Sequence, residues 1–144
     1  MMTSSAPGAA VVRRAVVAGH GDYAAGMISA VQQISGKGDT FRAVSSRDLS
    51  AVAIEELLRA TVGAHEAQVI FTDLPAGSCT IAARRIARDL TGVIVVTGVN
   101  LSVLLSWALG SDNGVAACEH ALERGRGAMA VLPAIVQTEG GGAH

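Results

Sequence analysis

Short apolar runs alternate along this chain with stretches of helical periodicity. Residues 15–18, 40–44, 68–72 and 93–97 form runs of strand length. A helical pattern follows each run, with apolar positions three and four residues apart. Four strand–helix units in succession predict an α/β fold, a doubly wound and mainly parallel four-stranded sheet of order 2-1-3-4 with helices on both faces.

Polar residues mark where the predicted helices begin. Ser50, Ser78 and Asn100 are placed to cap the second, third and fourth helices, and Asp112 starts a fifth helix that ends near Gly127. The residues expected to face inward are, helix by helix, Ala24, Met27, Ile28, Val31 and Ile34; Ile54, Leu57, Leu58 and Thr61; Ala82, Ile86 and Leu90; Leu101, Leu104, Leu105 and Ala108; Val115, Cys118 and Leu122.

The predicted domain covers residues 13–133, between a disordered tail at 1–12 and a flexible Gly-rich tail at 134–144. Within it, residues 128–132 (AMAVL) form a last apolar piece that could be an edge strand. The uncharged stretch 90–111 is long enough to span a membrane, but its β-branched half precedes a Leu-rich half, which favours a strand, a turn and a helix. Because the first residues lack the pattern of a signal peptide, we expect a cytoplasmic protein.

Composition excludes several classes of partner. The formal net charge is −1 and the charges are interspersed, so no basic face for nucleic acid or anionic lipid is expected. Cys79 and Cys118 have no CxxC spacing, so neither a metal site nor a disulfide is expected. We interpret Cys79 as a packing residue, although a thiol at a helix start can be reactive, and Asp22 as a cap or dipole partner.

His20 and Asp73 are the candidates for chemistry. His20 lies between two glycines after the first predicted strand, and Asp73 follows the third. If the second and third strands flank the first, both residues reach the crevice where such sheets bind ligands. A neutral imidazole can attack phosphorus through one nitrogen while a carboxylate orients the other. We would interpret either residue alone as a structural loop residue. The placement of both residues at neighbouring strand ends favours phosphoryl chemistry instead. His65, His120 and His144 are expected to be solvated.

A nucleotide-binding interpretation uses the same loop. Residues 19–24 (GHGDYA) fit the loose dinucleotide fingerprint G-x-G-x-x-G/A, and Ser45, Ser46 and Arg47 could hold a 2′-phosphate. The fit is weak, because the third glycine is an alanine and no acid ends the second strand. The histidine side chain would also obstruct the approach of a pyrophosphate.

The chain resembles the enzyme IIA component of the mannose family of the bacterial sugar phosphotransferase system, most of all its fructose, sorbose and N-acetylgalactosamine branch. The resemblance covers residues 14–109 and rests on VVAGHGDYAAGMISAVQQISG, VIFTDLPAGSCTIAARR and VIVVTGVNLSVLLSWAL. It implies that His20 accepts phosphate from the carrier HPr and passes it to a IIB protein. It also implies that Asp73 orients the His20 ring. The residues that it places near the phosphate are Thr72, Gly77 and Ser78.

The resemblance further implies a homodimer that exchanges its last strand, with no metal and no cofactor, and contact with the membrane only through the IIC/IID transporter. The sequence departs from the family at residues 76–79 (AGSC), where two glycines, Ser or Thr, and Pro are usual. Ala76 matters if its position requires a positive φ. Two alternatives stay open: a phosphoryl donor for a dihydroxyacetone-kinase-type system, and a non-catalytic regulatory or nucleotide-binding module.

Overall fold

The computed structural model describes residues 12–133. Within this range four strands and five α-helices follow in the predicted order, and a short 3-10 turn at Gly38–Thr40 precedes the second strand. The elements are β1 (Ala15–Gly19), α1 (Tyr23–Ser35), β2 (Phe41–Ser45), α2 (Ala51–His65), β3 (Val69–Thr72), α3 (Ser78–Asp89), β4 (Ile94–Val96), α4 (Leu101–Leu109) and α5 (Gly114–Gly127).

The four strands form one parallel sheet of order β2-β1-β3-β4, which confirms the predicted fold class. In the register of β1 and β3, Ala15 lies opposite Val69 and Ala18 lies opposite Thr72. The residues that follow, Gly19 and Asp73, therefore come out side by side at the carboxyl edge of the sheet. This register is what brings His20 and Asp73 together.

Helices cover both faces of the sheet, each over its own hydrophobic core. Side chains of α1, α4 and α5 pack on one face together with Val17, Phe71 and Trp107. Side chains of α2 and α3 pack on the other face together with Val16 and Ile70. Alternate strand residues serve the two cores because successive side chains of a strand point to opposite faces.

Three of the predicted inward positions are wrong. Ile34 is 61% exposed, and Leu57 and Val115 are exposed as well. Each lies at the margin of its apolar stripe, where spacing alone leaves the direction of the helix face uncertain by part of a turn. On α4 the deepest side chain is Trp107, which packs edge-on against Phe71 with ring centroids 5.3 Å apart.

Two of the four predicted helix starts are confirmed and two are wrong. The side chains of Ser50 and Asn100 accept hydrogen bonds from backbone N–H groups in the first turns of α2 and α4. The cap of α3 is Gly77, so Ser78 is the first helical residue and caps nothing. Helix α5 is capped at Asn113 rather than begun at Asp112, whose backbone carbonyl instead accepts a hydrogen bond from Arg13.

The predicted tails lie outside the described residues, apart from Val12. Residues 90–111 contain β4 and α4, as expected, and no helix between residues 12 and 133 is long and apolar enough to cross a membrane. The apolar piece 128–132 follows α5 without forming a strand in the single chain, and its Val131 is 82% exposed. An edge strand at this place would need a partner from another chain.

Candidate active site

His20 occupies a tight turn at the carboxyl end of β1. Its carbonyl accepts a hydrogen bond from the backbone N–H of Tyr23, the first residue of α1. The next residue, Gly21, has φ +52°, a conformation that glycine adopts at little cost. The turn leaves the imidazole 56% exposed to solvent, so a second protein can reach it.

Asp73 holds His20 at two points through a single carboxylate oxygen. Its Oδ2 lies 2.7 Å from Nδ1 of the ring and accepts a 2.9 Å hydrogen bond from the His20 backbone N–H. An ionised carboxylate can only accept, so Nδ1 carries the proton and Nε2 keeps its lone pair. The geometry thus fixes both the orientation and the tautomer of the imidazole.

The carboxylate of Asp73 is only 10% exposed. Burial by itself raises the pKa of this carboxyl, but hydrogen bonds from the His20 ring and backbone, and the positive charge of the ring when it is protonated, outweigh burial and set the pKa below its ordinary value. The other oxygen, Oδ1, is buried and has no hydrogen-bond partner among the described residues. The negative charge of the Asp73 carboxylate is therefore stabilised by its hydrogen bonds with His20.

Tyr23 forms one wall behind this pair. Its hydroxyl donates a 2.6 Å hydrogen bond to the carbonyl of Val99 and so ties α1 to the loop after β4. Burial, and secondly the charge of Asp73, raise the pKa of Tyr23 to about 12, so the phenol stays protonated. Sequence reasoning gave Tyr23 no role, because its partner lies 76 positions away.

The loop from β3 to α3 passes beneath the imidazole. A Cβ on Gly77 would lie 3.3 Å from Cε1 of His20, so only a glycine leaves this approach free of crowding. Ala76 does not have a positive φ, so its replacement of the usual glycine causes no backbone strain. Ser78 is half-buried at the first turn of α3, next to the loop.

Thr72 lies beneath the surface of the site. It is fully buried and its hydroxyl lies 2.6 Å from that of Thr80, which in turn donates to the carbonyl of Leu74. The two hydroxyls brace the loop that carries Asp73. The sequence did not predict this contact, because Thr80 lies within a helical pattern that does not indicate Thr72 as its partner.

The other histidines, Asp22 and Cys79 lie in surroundings that indicate structural roles or exposure to solvent. His65 is half-buried, with Nε2 2.9 Å from the carbonyl oxygen of Thr40, so its expected solvation is wrong. His120 is exposed as expected, and His144 lies outside the described residues. Asp22 is the N-cap residue of α1, as expected, but its side chain accepts no capping hydrogen bond and pairs with Arg47. Cys79 is fully buried, and burial chiefly raises the pKa of its thiol, which confirms a packing role.

Gly19 should be irreplaceable in this arrangement. A Cβ at this position would lie 2.5 Å from the Tyr23 ring and 3.0 Å from the carboxyl carbon of Asp73. We expect Gly19→Ala to lower the free energy of unfolding by about 1–3 kcal/mol, as overpacking does, and to displace Asp73 from His20. Chemical denaturation measures the first effect, and Gly63→Ala, where a Cβ meets nothing within 4 Å, is the matched control. Equal stability of the two variants would contradict the crowding argument.

The sequence and the fold match one family of proteins. The family model described as "PTS system fructose IIA component" matches residues 14–120. The chain belongs to this family. Its members are components of the sugar phosphotransferase system, so membership implies a phosphotransferase component that acts in sugar uptake. No curated protein matches the sequence.

Solved structures of IIA proteins share the fold at low sequence identity. Component EIIA from Streptococcus agalactiae aligns with TM-score 0.77 and 17% identity, over 84% of this chain and 98% of that one. The mannose/sorbose-specific IIA subunit from Enterococcus faecalis gives 0.73 and 17%, over 85% and 96%. The IIA protein associated with the fucose utilization operon of Streptococcus pneumoniae gives 0.75 and 22%, over 88% and 97%. The chain thus spans nearly the whole length of these proteins.

Proposed function

We propose that His20 accepts a phosphoryl group from HPr and donates it to a IIB component. The observation that carries the proposal is the His20–Asp73 pair, in which Nδ1 lies 2.7 Å from a buried carboxylate while the ring is more than half exposed. Nε2 is then the nitrogen with a free lone pair, on a ring that already has the orientation for attack.

The bonds and charges of the transfer step balance without a metal ion. The lone pair of His20 Nε2 forms a new P–N bond as the P–N bond of the donor's ring-protonated phosphohistidine breaks, and the donor leaves as neutral imidazole. The proton on His20 Nδ1 stays between the ring and Asp73, whose charge balances the positive phosphoimidazole. Donation to the acceptor is the reverse step with a new partner, so one geometry serves both directions.

The first turn of α3 favours the phosphorylated state. Gly77 lies against the His20 ring and caps α3, so the free backbone N–H groups of the twelve-residue helix begin beside the imidazole. Such N–H groups and the helix dipole stabilise phosphate oxygens. This position supports Gly77 and Ser78 as phosphate-binding residues. Thr72, the third residue that the resemblance places near the phosphate, is fully buried and its hydroxyl contacts that of Thr80.

Incubation with phosphoenolpyruvate, enzyme I and HPr tests this function. We expect the intact protein to gain the mass of one phosphate. Acid should remove this phosphate, because the P–N bond of phosphohistidine is acid-labile. Addition of a IIB protein should then remove the label. No mass gain would contradict the proposal and favour a non-catalytic module. If only a dihydroxyacetone-kinase-type acceptor removed the phosphate, that acceptor would take the place of the IIB component in the proposal.

The nucleotide-binding alternative has little support from the geometry. The hydroxyl of Ser45 donates to the Gly21 carbonyl, so one of the residues expected to hold a 2′-phosphate is engaged in a loop contact. The His20 ring stands between the glycines where a pyrophosphate would approach. Binding of a nicotinamide dinucleotide in calorimetry would revive this alternative.

We also propose that the protein is a homodimer in which residues 128–132 pair with the sheet of the second subunit. Strand β4 is an edge of the sheet, only three residues long, and Ile94 and Val95 are incompletely buried. The segment after α5 exposes Met129, Val131 and Leu132. Exchange of this segment would cover both apolar surfaces in one closed, two-fold contact.

Two truncations test the dimer. Removal of residues 128–144 should give monomers or insoluble protein, because the edge of each sheet loses its cover. Removal of residues 134–144 alone should leave the dimer intact and is the matched control. Sedimentation equilibrium measures the mass of both variants. A soluble dimer after the longer truncation would place the interface elsewhere.

A further inference from the structure

Carboxylates outnumber Lys and Arg side chains on the loops around His20. Four loops form the carboxyl edge of the sheet, at residues 20–22, 46–50, 73–77 and 97–100. Together they carry three carboxylates, those of Asp22, Asp48 and Asp73, and a single Lys or Arg side chain, that of Arg47. A phosphoryl group adds up to two more negative charges to this edge. A cation close to His20 would offset this repulsion.

The side chain of Arg47 already lies one residue away from His20. Its Nη2 is 3.4 Å from the point where a Cβ on Gly21 would be. The same nitrogen donates a 3.0 Å hydrogen bond to Asp22 Oδ1. The guanidinium therefore lies beside the turn that presents the imidazole.

The backbone of Arg47 is fixed to that same turn. The hydroxyl of Ser45 donates to the Gly21 carbonyl at 2.9 Å and accepts the backbone N–H of Arg47 at 3.1 Å. The N–H of Ser46 donates to the Gly19 carbonyl at 3.0 Å. These hydrogen bonds connect the loop to the turn, so a change of partner by Arg47 requires a movement of its side chain alone.

The ion pair that now holds the guanidinium is easily exchanged. The side chains of Arg47 and Asp22 are 57% and 86% exposed, and ion pairs that water surrounds contribute little to stability. A guanidinium can instead form two parallel charge-assisted hydrogen bonds with phosphate oxygens, which are stronger. A phosphoryl group on His20 would compete well with Asp22 for this side chain.

We propose that Arg47 leaves Asp22 when His20 is phosphorylated and binds the phosphoryl oxygens, which adds a cationic side chain to the transfer site. The proposal rests on the proposed function of His20. It also gives a role to Arg47 in the SSR segment at the end of β2, a segment that the sequence analysis connected with the 2′-phosphate of a dinucleotide. No covalent bond changes at Arg47, because the guanidinium only compensates charge on the transferred group.

Arg47→Gln is the variant that tests this role, in the same assay with HPr. We expect phosphorylation of His20 to become about 10- to 100-fold slower, the size of a lost hydrogen bond to a charged group. Arg47→Lys should recover part of the rate. Arg42→Gln makes the same charge change on β2. Within residues 12–133, Arg42 hydrogen-bonds only the carbonyls of Asp39 and Phe41, so this variant should keep the wild-type rate.

A second readout separates charge compensation from an effect on docking or folding. A nearby cation favours the dianionic phosphoryl group, so Arg47→Gln should raise the pKa of the phosphoryl group on His20 in a ³¹P NMR titration. Arg42→Gln should leave that pKa unchanged. A wild-type pKa in Arg47→Gln, whether or not the rate falls, would overturn the proposal, because Arg47 would then not contact the phosphoryl group. Failure of the wild-type protein to take up phosphate at His20 would overturn the proposed function itself.

Discussion

His20→Gln will take up no detectable phosphoryl group from HPr. Glutamine has a similar size but no nucleophilic nitrogen, so the P–N bond cannot form. The exposed position of His20 in a turn means that the fold should survive the change. Intact mass after incubation with phosphoenolpyruvate, enzyme I and HPr measures the loss, and circular dichroism checks the fold.

His120→Gln is the matched control for this experiment. His120 is also exposed and also lies near a carboxylate, with Nδ1 3.3 Å from Asp112 Oδ2, but it is on α5 and away from the carboxyl edge of the sheet. We expect the control to be phosphorylated like the wild type. A phosphate that persists in His20→Gln and disappears in His120→Gln would contradict the site assignment.

Asp73→Asn should slow phosphoryl transfer by about 10³- to 10⁴-fold, by analogy with loss of the orienting carboxylate in a hydrolase triad. The amide can donate to Nδ1, which would move the ring proton to Nε2 and remove the attacking lone pair. It also removes the charge that balances the phosphoimidazole. Single-turnover transfer from phosphorylated HPr measures the rate. A rate within tenfold of the wild type would make Asp73 a purely structural residue.

The pH dependence of stability is an independent check on Asp73. Because the folded state lowers the pKa of this carboxyl, its ionised form stabilises the fold above the ordinary carboxyl range, and that contribution is lost as the pH falls through the folded value. The difference in unfolding free energy between wild type and Asp73→Asn should therefore shrink as the pH falls. A difference that stays constant would mean that Asp73 is not held as a charged partner of His20.

Sequence patterns were sufficient for the sheet and for the central pair of the site. Parallel strands end at a common edge, so residues directly after β1 and β3 must be neighbours once the strand order is known. The positions of His20 and Asp73 followed from strand ends alone. Their hydrogen bonds then depended on the register of β1 and β3, which no short motif contains.

The parts that escaped prediction depend on tertiary contacts. Spacing could not set the rotation of α1 and α5 about their axes. It therefore did not predict that Ile34 and Val115 face solvent. Ser78 satisfies the composition rule for a cap, yet Gly77 has the extended backbone of the cap residue. The Thr72–Thr80 brace and the contact of Arg47 with the His20 turn join segments that only the folded chain brings together.

The most direct test is to locate the phosphate on the wild-type protein at the level of a single nitrogen. Phosphorylation with the HPr system, followed by ³¹P–¹⁵N correlation on histidine-labelled protein, identifies both the residue and the ring atom. Because Asp73 occupies Nδ1, the expected result is phosphate on Nε2 of His20. Phosphate on Nδ1 of His20, or on any other residue, would contradict the mechanism.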